Sequence, residues 1–141
     1  MGTSKSYFIV DIDRTDENYI CFLAYYSLAL KVICLKEELS GKKRGLINAQ
    51  KGQKAVPTYY IAQLAKNDKY KDEIFGDEIL ESALDIINKA AKFVGGRIVW
   101  VEAKAENEGV VKFYQKNGFK ELQREEQDDG VYCHLIKRIK Y

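Results

Sequence analysis

One helical stripe constrains this chain more than any other feature. Ile79, Leu80, Ala83, Ile86, Ile87, Ala90, Ala91 and Val94 recur at the spacing that places them on one face of an α-helix. Gly95-Gly96 supplies the stop. Residues 97–103 follow at once as a buried strand around Ile98, Val99, Trp100 and Val101, and residues 58–66, after Pro57, form a strand candidate before the helix. Strand, helix and strand in that order imply a parallel pair with a crossover helix, because parallel neighbours need a connection that returns the chain to the same end of the sheet.

The flanks add antiparallel elements. Residues 7–13 read as a strand, 14–18 as a polar turn, and 19–34 as a long strand rich in aromatics. Residues 37–46 have room for one helical turn, and 45–53, poor in apolar side chains, read as a mobile loop. A shorter helix is expected over 108–117, with Gly118 as its C-terminal cap. Residues 119–124 and 131–140 read as strands joined through Asp128-Asp129-Gly130, a hairpin signal. The fold class is therefore α/β (α+β): a mixed, mostly antiparallel sheet with a central parallel strand-helix-strand unit, flanked by helices. With 141 residues and no internal repeat, the chain reads as one domain, 1–141.

Composition narrows the function classes. A net charge of +2 is too small to argue by itself for a nucleic-acid footprint. Cys21, Cys34 and Cys133 are odd in number, widely spaced and set in apolar runs, so they are expected to be reduced, buried thiols. With no Cys-x-x-Cys pair and His134 as the lone histidine, no metal is expected. The start of the chain lacks a signal-peptide core, and the apolar run at 19–35 is shorter than the ~20 residues a span needs and contains Lys31. A cytoplasmic protein without membrane contact is expected.

Two segments carry candidate chemistry. The loop Lys71-Asp72-Glu73-Ile74-Phe75-Gly76-Asp77-Glu78 leads a strand into the N-terminus of the long helix. Free N–H groups and the positive end of the dipole favour an anion there. Gly76 would let the backbone approach a phosphate, and Lys71 could add charge; the alternative is an ordinary turn with acids matched to the dipole. The second segment is Asn107-Glu108-Gly109-Val110-Val111-Lys112-Phe113-Tyr114-Gln115-Lys116-Asn117-Gly118-Phe119.

Taken together, these segments resemble the GNAT superfamily of acyl-CoA-dependent N-acetyltransferases, which commonly show Asn-x-x-Ala-x-x-Phe-Tyr-x-x-x-Gly-Phe late in the chain. Asn107, Phe113, Tyr114, Gly118 and Phe119 match, with Val110 in the alanine place. The family's Gln/Arg-x-x-Gly-x-Gly/Ala pyrophosphate loop falls on Lys71, Ile74 and Gly76, so Ile74 replaces a glycine, and Asp72 and Glu73 bring negative charge. The resemblance covers nearly the whole chain. Family members usually have a further strand and one or two helices before the strand at Tyr7. Without them the acceptor side is expected to be open, or closed by a homodimer or partner protein.

The resemblance implies an enzyme that moves an acetyl group from acetyl-CoA to a primary amine by direct transfer in a ternary complex, without a metal. It assigns the pantetheine arm to the backbone of Leu64, Ala65 and Lys66, and the pyrophosphate to Lys71, Asp72, Ile74, Phe75, Gly76 and Asp77. Asn107 and Phe113 flank the coenzyme, and Tyr114 is the general acid for the departing thiolate. Tyr25, Tyr26 and Ser27 lie on the acceptor side, one tyrosine facing the acceptor and the other packing in the core. Some family members with a similar Tyr-Tyr-Ser strand act as toxins on aminoacyl-tRNA, which makes a tRNA acceptor the first alternative. A CoA-binding module without catalysis is the second; the degenerate loop favours it and Tyr114 opposes it. For the rest, Trp100 is expected in the core, His134 as a packing or surface side chain, and Lys42-Lys43-Arg44 on a solvated face.

Overall fold

The computed structural model describes residues 4–140. Six strands, β1 (Lys5–Val10), β2 (Phe22–Cys34), β3 (Ala55–Lys66), β4 (Ile98–Lys104), β5 (Lys120–Gln127) and β6 (Gly130–Arg138), alternate with three helices. The helices are α1 (Gly41–Leu46), α2 (Gly76–Val94) and α3 (Glu108–Lys116). The sheet order is β1-β2-β3-β4-β6-β5. Every neighbouring pair is antiparallel except β3 and β4, the pair that α2 connects. Strand, crossover and hairpin all stand as the sequence predicts, with the β5–β6 turn at Asp128 and Asp129. No described helix is long and apolar enough to cross a membrane.

Helix α2 covers one face. Ile79, Leu80, Ala83, Ile87 and Ala91 are buried against Ala24, Tyr26, Ile61, Val99, Val101 and Leu135. Full burial of each large aliphatic is worth about 1.5–3 kcal/mol. Val94 leaves the stripe and is exposed, as is Phe93, and so are Leu30 and Val32 of β2. The stop needs glycine for two reasons. Gly96 has φ +101°, and a Cβ there would lie 2.5 Å from the Tyr59 ring.

The opposite face is covered over one end only. Ile33, Leu35, Ile47, Val56, Ile98, Trp100, Leu122 and Ile136 form a second core under α1 and its flanking loops. Arg44 is the pin of this cap. Its guanidinium is buried and donates to the backbone oxygens of Leu39, Gln50, Gln53 and Lys36. Lys43 Nζ donates to Glu121 O at 2.6 Å. The expected solvated face at Lys42-Lys43-Arg44 is thus corrected: loop carbonyls drew Arg44 inward, and the Glu121 carbonyl of β5 holds Lys43.

The cysteines are free. Cys21 and Cys133 are buried as expected, but Cys34 is exposed at the end of β2. Its apolar neighbours face the two sides of the strand alternately, and Cys34 lies where neither core extends.

Candidate active site

The site begins where the sheet comes apart. β3 and β4 pair at Tyr59 with Val99 and at Tyr60 with Trp100, and no further rung joins them. From Gln63 to Lys66 β3 still pairs with β2, opposite Ser27, Tyr26, Tyr25 and Ala24. A bulge leaves Ala62 without a partner between Ile61 and Gln63, and bulges bend a strand. The edge of Leu64, Ala65 and Lys66 that faces β4 is therefore open, a row of backbone groups that an extended ligand could pair with.

The loop beyond β3 is clamped to the β1–β2 connection. Asn67 N donates to Leu23 O at 2.8 Å and Asn67 Nδ2 to Phe22 O at 2.9 Å. Tyr19 and Tyr70 share a hydrogen bond of 2.7 Å between hydroxyls. Arg14 donates to both carboxylate oxygens of Glu73 and, at 2.7 Å, to Asp11. The negative charge that Glu73 brings to the loop is thus matched within the fold. Ile74 is buried in the main core, so its side chain points away from the loop's open side.

At the head of α2, Phe75 has no side-chain acceptor, and the Glu78 carboxylate caps the Phe75 N–H at 3.0 Å. The N–H groups of Gly76 and Asp77 have no partner among the described residues. Phe75 itself is exposed, as are Lys71 and Asp72. Gly76 is small for a reason the sequence did not reveal. A Cβ there would meet Phe113 Cε1 at 3.1 Å, so the ring of α3 sits over the glycine. Asn117 Nδ2 donates to Asp77 Oδ1 at 3.0 Å and ties α3 to the same turn.

Helix α3 carries Tyr114 into the main core. Its ring lies between Phe113 and Phe119, with centroids 5.1 and 5.3 Å away. Burial pushes its phenol up to about 12. The Tyr114 hydroxyl makes no hydrogen bond to any described residue, and it is not among the enclosed polar atoms that lack a partner. It therefore keeps contact with solvent. Asn107 holds the N-cap place of α3 without a side-chain capping bond, and it too is exposed.

The acceptor-side residues divide between the faces. Tyr26 lies in the main core, stacked on Tyr7 at 5.5 Å and bonded to Ser82 Oγ at 2.9 Å. Tyr25 is half-buried on the other face, near the exposed ring of Phe8. Ser27, also buried, bonds Ser6 Oγ at 2.7 Å.

Sequence reasoning missed a polar cluster on that same face. Glu102 accepts from Tyr60 Oη at 3.1 Å, Gln127 Nε2 at 3.0 Å and His134 Nε2 at 3.2 Å. Glu125 lies 3.2 Å from the same His134 nitrogen. His134 is buried, not a surface side chain, and Gln123 Nε2 stands 3.0 Å from its Nδ1. The Gln123 amide is oriented by Lys36 N–H on its oxygen and Cys34 O on its nitrogen. Nδ1 is thus the acceptor, and the ring proton sits on Nε2, facing the glutamates. The strand alternation that gathers these residues was legible in principle, but their pairing across β3, β4, β5 and β6 was not.

Glu102, Glu125 and His134 offer three ligand atoms within 4.8 Å of one another. The donor set does not fit a metal. A ligating imidazole donates its other N–H to an acceptor, whereas here the other nitrogen faces an amide donor. The hydrogen bond from His134 holds the Glu102 carboxyl below the usual carboxylate range, against the opposing effect of partial burial. The Tyr60 phenol is pushed up by burial first and by the Glu102 charge next, with a smaller contribution from Tyr114.

A mixed sheet parted between its two parallel strands, with the N-terminus of the connecting helix following the open edge, defines the class of fold. The chain belongs to the acetyltransferase (GNAT) family, whose model matches residues 4–119. No curated relative matches the sequence. Among solved structures it is similar to a tyrosine-to-phenylalanine mutant of KacT, with a TM-score of 0.67 and 19% identity over 96% of this chain and 71% of that one. It is similar to a tyrosine-to-phenylalanine mutant of the toxin AtaT, bound to the C-terminus of the antitoxin AtaR and acetyl-CoA. There the TM-score is 0.58 and the identity 19%, over 85% of this chain and 61% of that one. A third similar structure is AtaT complexed with acetyl-methionyl-tRNAfMet, at a TM-score of 0.62 and 20% identity over 92% of this chain and 69% of that one. The chain thus spans less than two thirds of the AtaT mutant's length.

Proposed function

We propose that this chain is an N-acetyltransferase that binds acetyl-CoA in the splay between β3 and β4 and passes the acetyl group directly to a primary amine. The observation that carries the reading is the parting of β3 from β4 beyond Tyr60, which leaves one edge of β3 open ahead of the head of α2; the Tyr114 hydroxyl, unbonded among the described residues, supports it. The backbone of Leu64, Ala65 and Lys66 pairs with the pantetheine amides. The free N–H groups of Gly76 and Asp77, the dipole of α2 and Lys71 face the pyrophosphate. The N–H groups of Asp72, Ile74 and Phe75 line the same loop, although Glu78 already caps that of Phe75. Asn107 and Phe113 flank the arm from α3.

The amine attacks the thioester carbonyl, a C–N bond forms, and the C–S bond breaks. Tyr114 protonates the departing thiolate, and the proton lost by the new amide nitrogen restores the phenol through water. Holding both reactants in one slot supplies the orientation that a bimolecular encounter lacks. Ile74 is compatible with this role, because the loop contributes backbone groups and its side chain is buried in the core.

The alternative acceptor, an aminoacyl-tRNA, draws support from the likeness to AtaT, one of whose structures holds acetyl-methionyl-tRNAfMet. Lys43 and Arg44 oppose it, since both are committed to backbone carbonyls and leave Lys42 alone of the basic cluster. Thiol release from acetyl-CoA, with mass spectrometry of the products, tests the proposal. A panel of primary amines and charged tRNA should yield an N-acetyl product. Acetyl-CoA that binds but is never consumed would instead support a coenzyme-binding module.

A further inference from the structure

The two edges of the sheet, β5 on one side and β1 on the other, differ in kind. β5 carries Lys120, Glu121, Arg124, Glu125 and Glu126, and charged side chains are how an edge strand resists pairing with another chain. β1 reads Lys-Ser-Tyr-Phe-Ile-Val, with Lys5 as its one charge and no proline. Apolar surface borders it. Phe8 is 59% exposed, Val10 and Ile12 are exposed too, and the Phe8 ring lies 5.4 Å from Phe22 and 6.3 Å from Tyr25. The backbone is set for pairing. Asp11 is still extended, with φ −87° and ψ 106°, and its N–H donates to Cys21 O at 2.9 Å. Peptide groups alternate in direction along a strand. Those of Lys5, Tyr7 and Ile9 therefore turn toward β2 as that of Asp11 does. Those of Ser6, Phe8 and Val10 turn outward, where no described strand meets them.

We propose that β1 pairs antiparallel with β1 of a second copy of this chain, with Phe8 on the two-fold axis. In that register Ser6 stands opposite Val10 of the other copy, Tyr7 opposite Ile9, and Lys5 opposite Asp11. Charge selects it. Arg14 serves both Asp11 and Glu73, so one negative charge of the three is left over. Asp11 accepts from Arg14 on one oxygen and from Asp13 N–H on the other, which leaves two of a carboxylate's roughly four acceptor sites. Lys5 has no ion pair among the described residues and lies only over the ring of Tyr7, at 5.9 Å. An antiparallel pair joins the spare cation at one end of β1 to the spare anion at the other, twice. An axis at Tyr7 would put Lys5 opposite Ile9, and an axis at Ile9 would carry it to the helical turn Ile12–Arg14. Lys5 and Asp11 also meet at a rung without hydrogen bonds of its own, the kind that brings side chains closer. Across the axis the Phe8 rings join the two apolar patches on the face away from α2, beside Tyr25. A self-complementary interface closes at two copies. The pairing does not depend on acetyl-CoA.

Sedimentation equilibrium tests it and should give twice the chain mass of 16.2 kDa. Phe8→Lys sets like charges on the axis and should give a monomer with an unchanged circular dichroism spectrum, since the side chain is exposed. Lys5→Glu faces Asp11 with a second acid and should weaken the dimer roughly tenfold or more, a difference that shrinks as salt is added. Cross-linking in a Cys34→Ser background reads the register. Phe8→Cys should oxidise to a disulfide-linked dimer, because facing Cα atoms of a hydrogen-bonded pair lie about 5.5 Å apart. Ser6→Cys should not, its two copies being displaced by about 13 Å along the strands. A wild type that sediments as a monomer at every concentration that stays in solution overturns the proposal. So does a dimer that survives both Phe8→Lys and Lys5→Glu, or one that Ser6→Cys cross-links as readily as Phe8→Cys.

Discussion

Tyr60 donates its hydroxyl to Glu102 at 3.1 Å on the last rung before β3 and β4 part. The bond joins the two strands just beyond their last rung, on the face away from α2, while Tyr114 lies in the core on the face that α2 covers.

Tyr114→Phe should lower kcat by about 10²–10⁴-fold and leave acetyl-CoA affinity intact, the pattern of an interaction made in the transition state. Burial raises the phenol's pKa to about 12. The group is therefore protonated, and able to donate, at every pH below that value, and the rate should show no loss of the acid near neutrality. Steady-state kinetics across the neutral range check both statements. A wild-type rate in the variant would make Tyr114 a packing residue.

Gly76→Val tests the contact between α2 and α3. The new methyls would press on Phe113, whose Cε1 lies 3.1 Å from the Cβ position. Overpacking should cost roughly 1–3 kcal/mol, and acetyl-CoA affinity should fall as the helix head shifts. In a Phe113→Ala background the same substitution should cost less. Denaturant melts of the four proteins measure that coupling, and simple additivity would show that Phe113 does not set the size at 76.

Arg14 and Glu73 make a different prediction, because both side chains are exposed. Exposed pairs add little to stability, so Arg14→Ala should melt near the wild type. It should weaken acetyl-CoA binding several-fold at low salt by leaving Glu73 unmatched beside the anion loop, and the effect should fade as salt screens it. Arg14→Ala/Glu73→Ala should recover the affinity. A double variant no better than the single would assign Arg14 to holding the loop's shape.

The thiols should divide in native alkylation. Cys34 is exposed, Cys21 and Cys133 are buried, and burial pushes the Cys133 thiol up to about 11. Intact mass after brief iodoacetamide treatment should show one adduct, on Cys34. Early labelling of Cys133 would mean that β6 opens readily.

These relationships differ in how far they could be read in advance. The α2 stripe, the Gly95-Gly96 stop and the β5–β6 hairpin are local, so periodicity and turn chemistry were sufficient. The Asn107–Phe119 motif placed the short helix and its Gly118 stop, but the packing of Tyr114 between Phe113 and Phe119 came only with the fold. Arg44 was misread because its partners are carbonyls of a loop, and backbone acceptors leave no mark in a sequence. Val94 was misread because periodicity tells where a helix faces but not how far along it the packing extends. Glu102, His134, Gln123 and Tyr60 stand on four strands, and their meeting depends on strand order and register, which no short stretch encodes. Gly76 was read as leaving room for a ligand; its Cβ direction is taken by a ring 37 residues away in the chain, Phe113.

The central claim is that the splay binds acetyl-CoA, and a thermal melt in its presence tests that most directly. Ligand at about one hundred times its dissociation constant should stabilise the fold by roughly 2.7 kcal/mol, a rise in Tm of several degrees for a domain of this size. Free coenzyme A should act in the same direction, since it carries the same pyrophosphate and pantetheine. A melt that stays in place with millimolar acetyl-CoA and with coenzyme A alike would contradict the account.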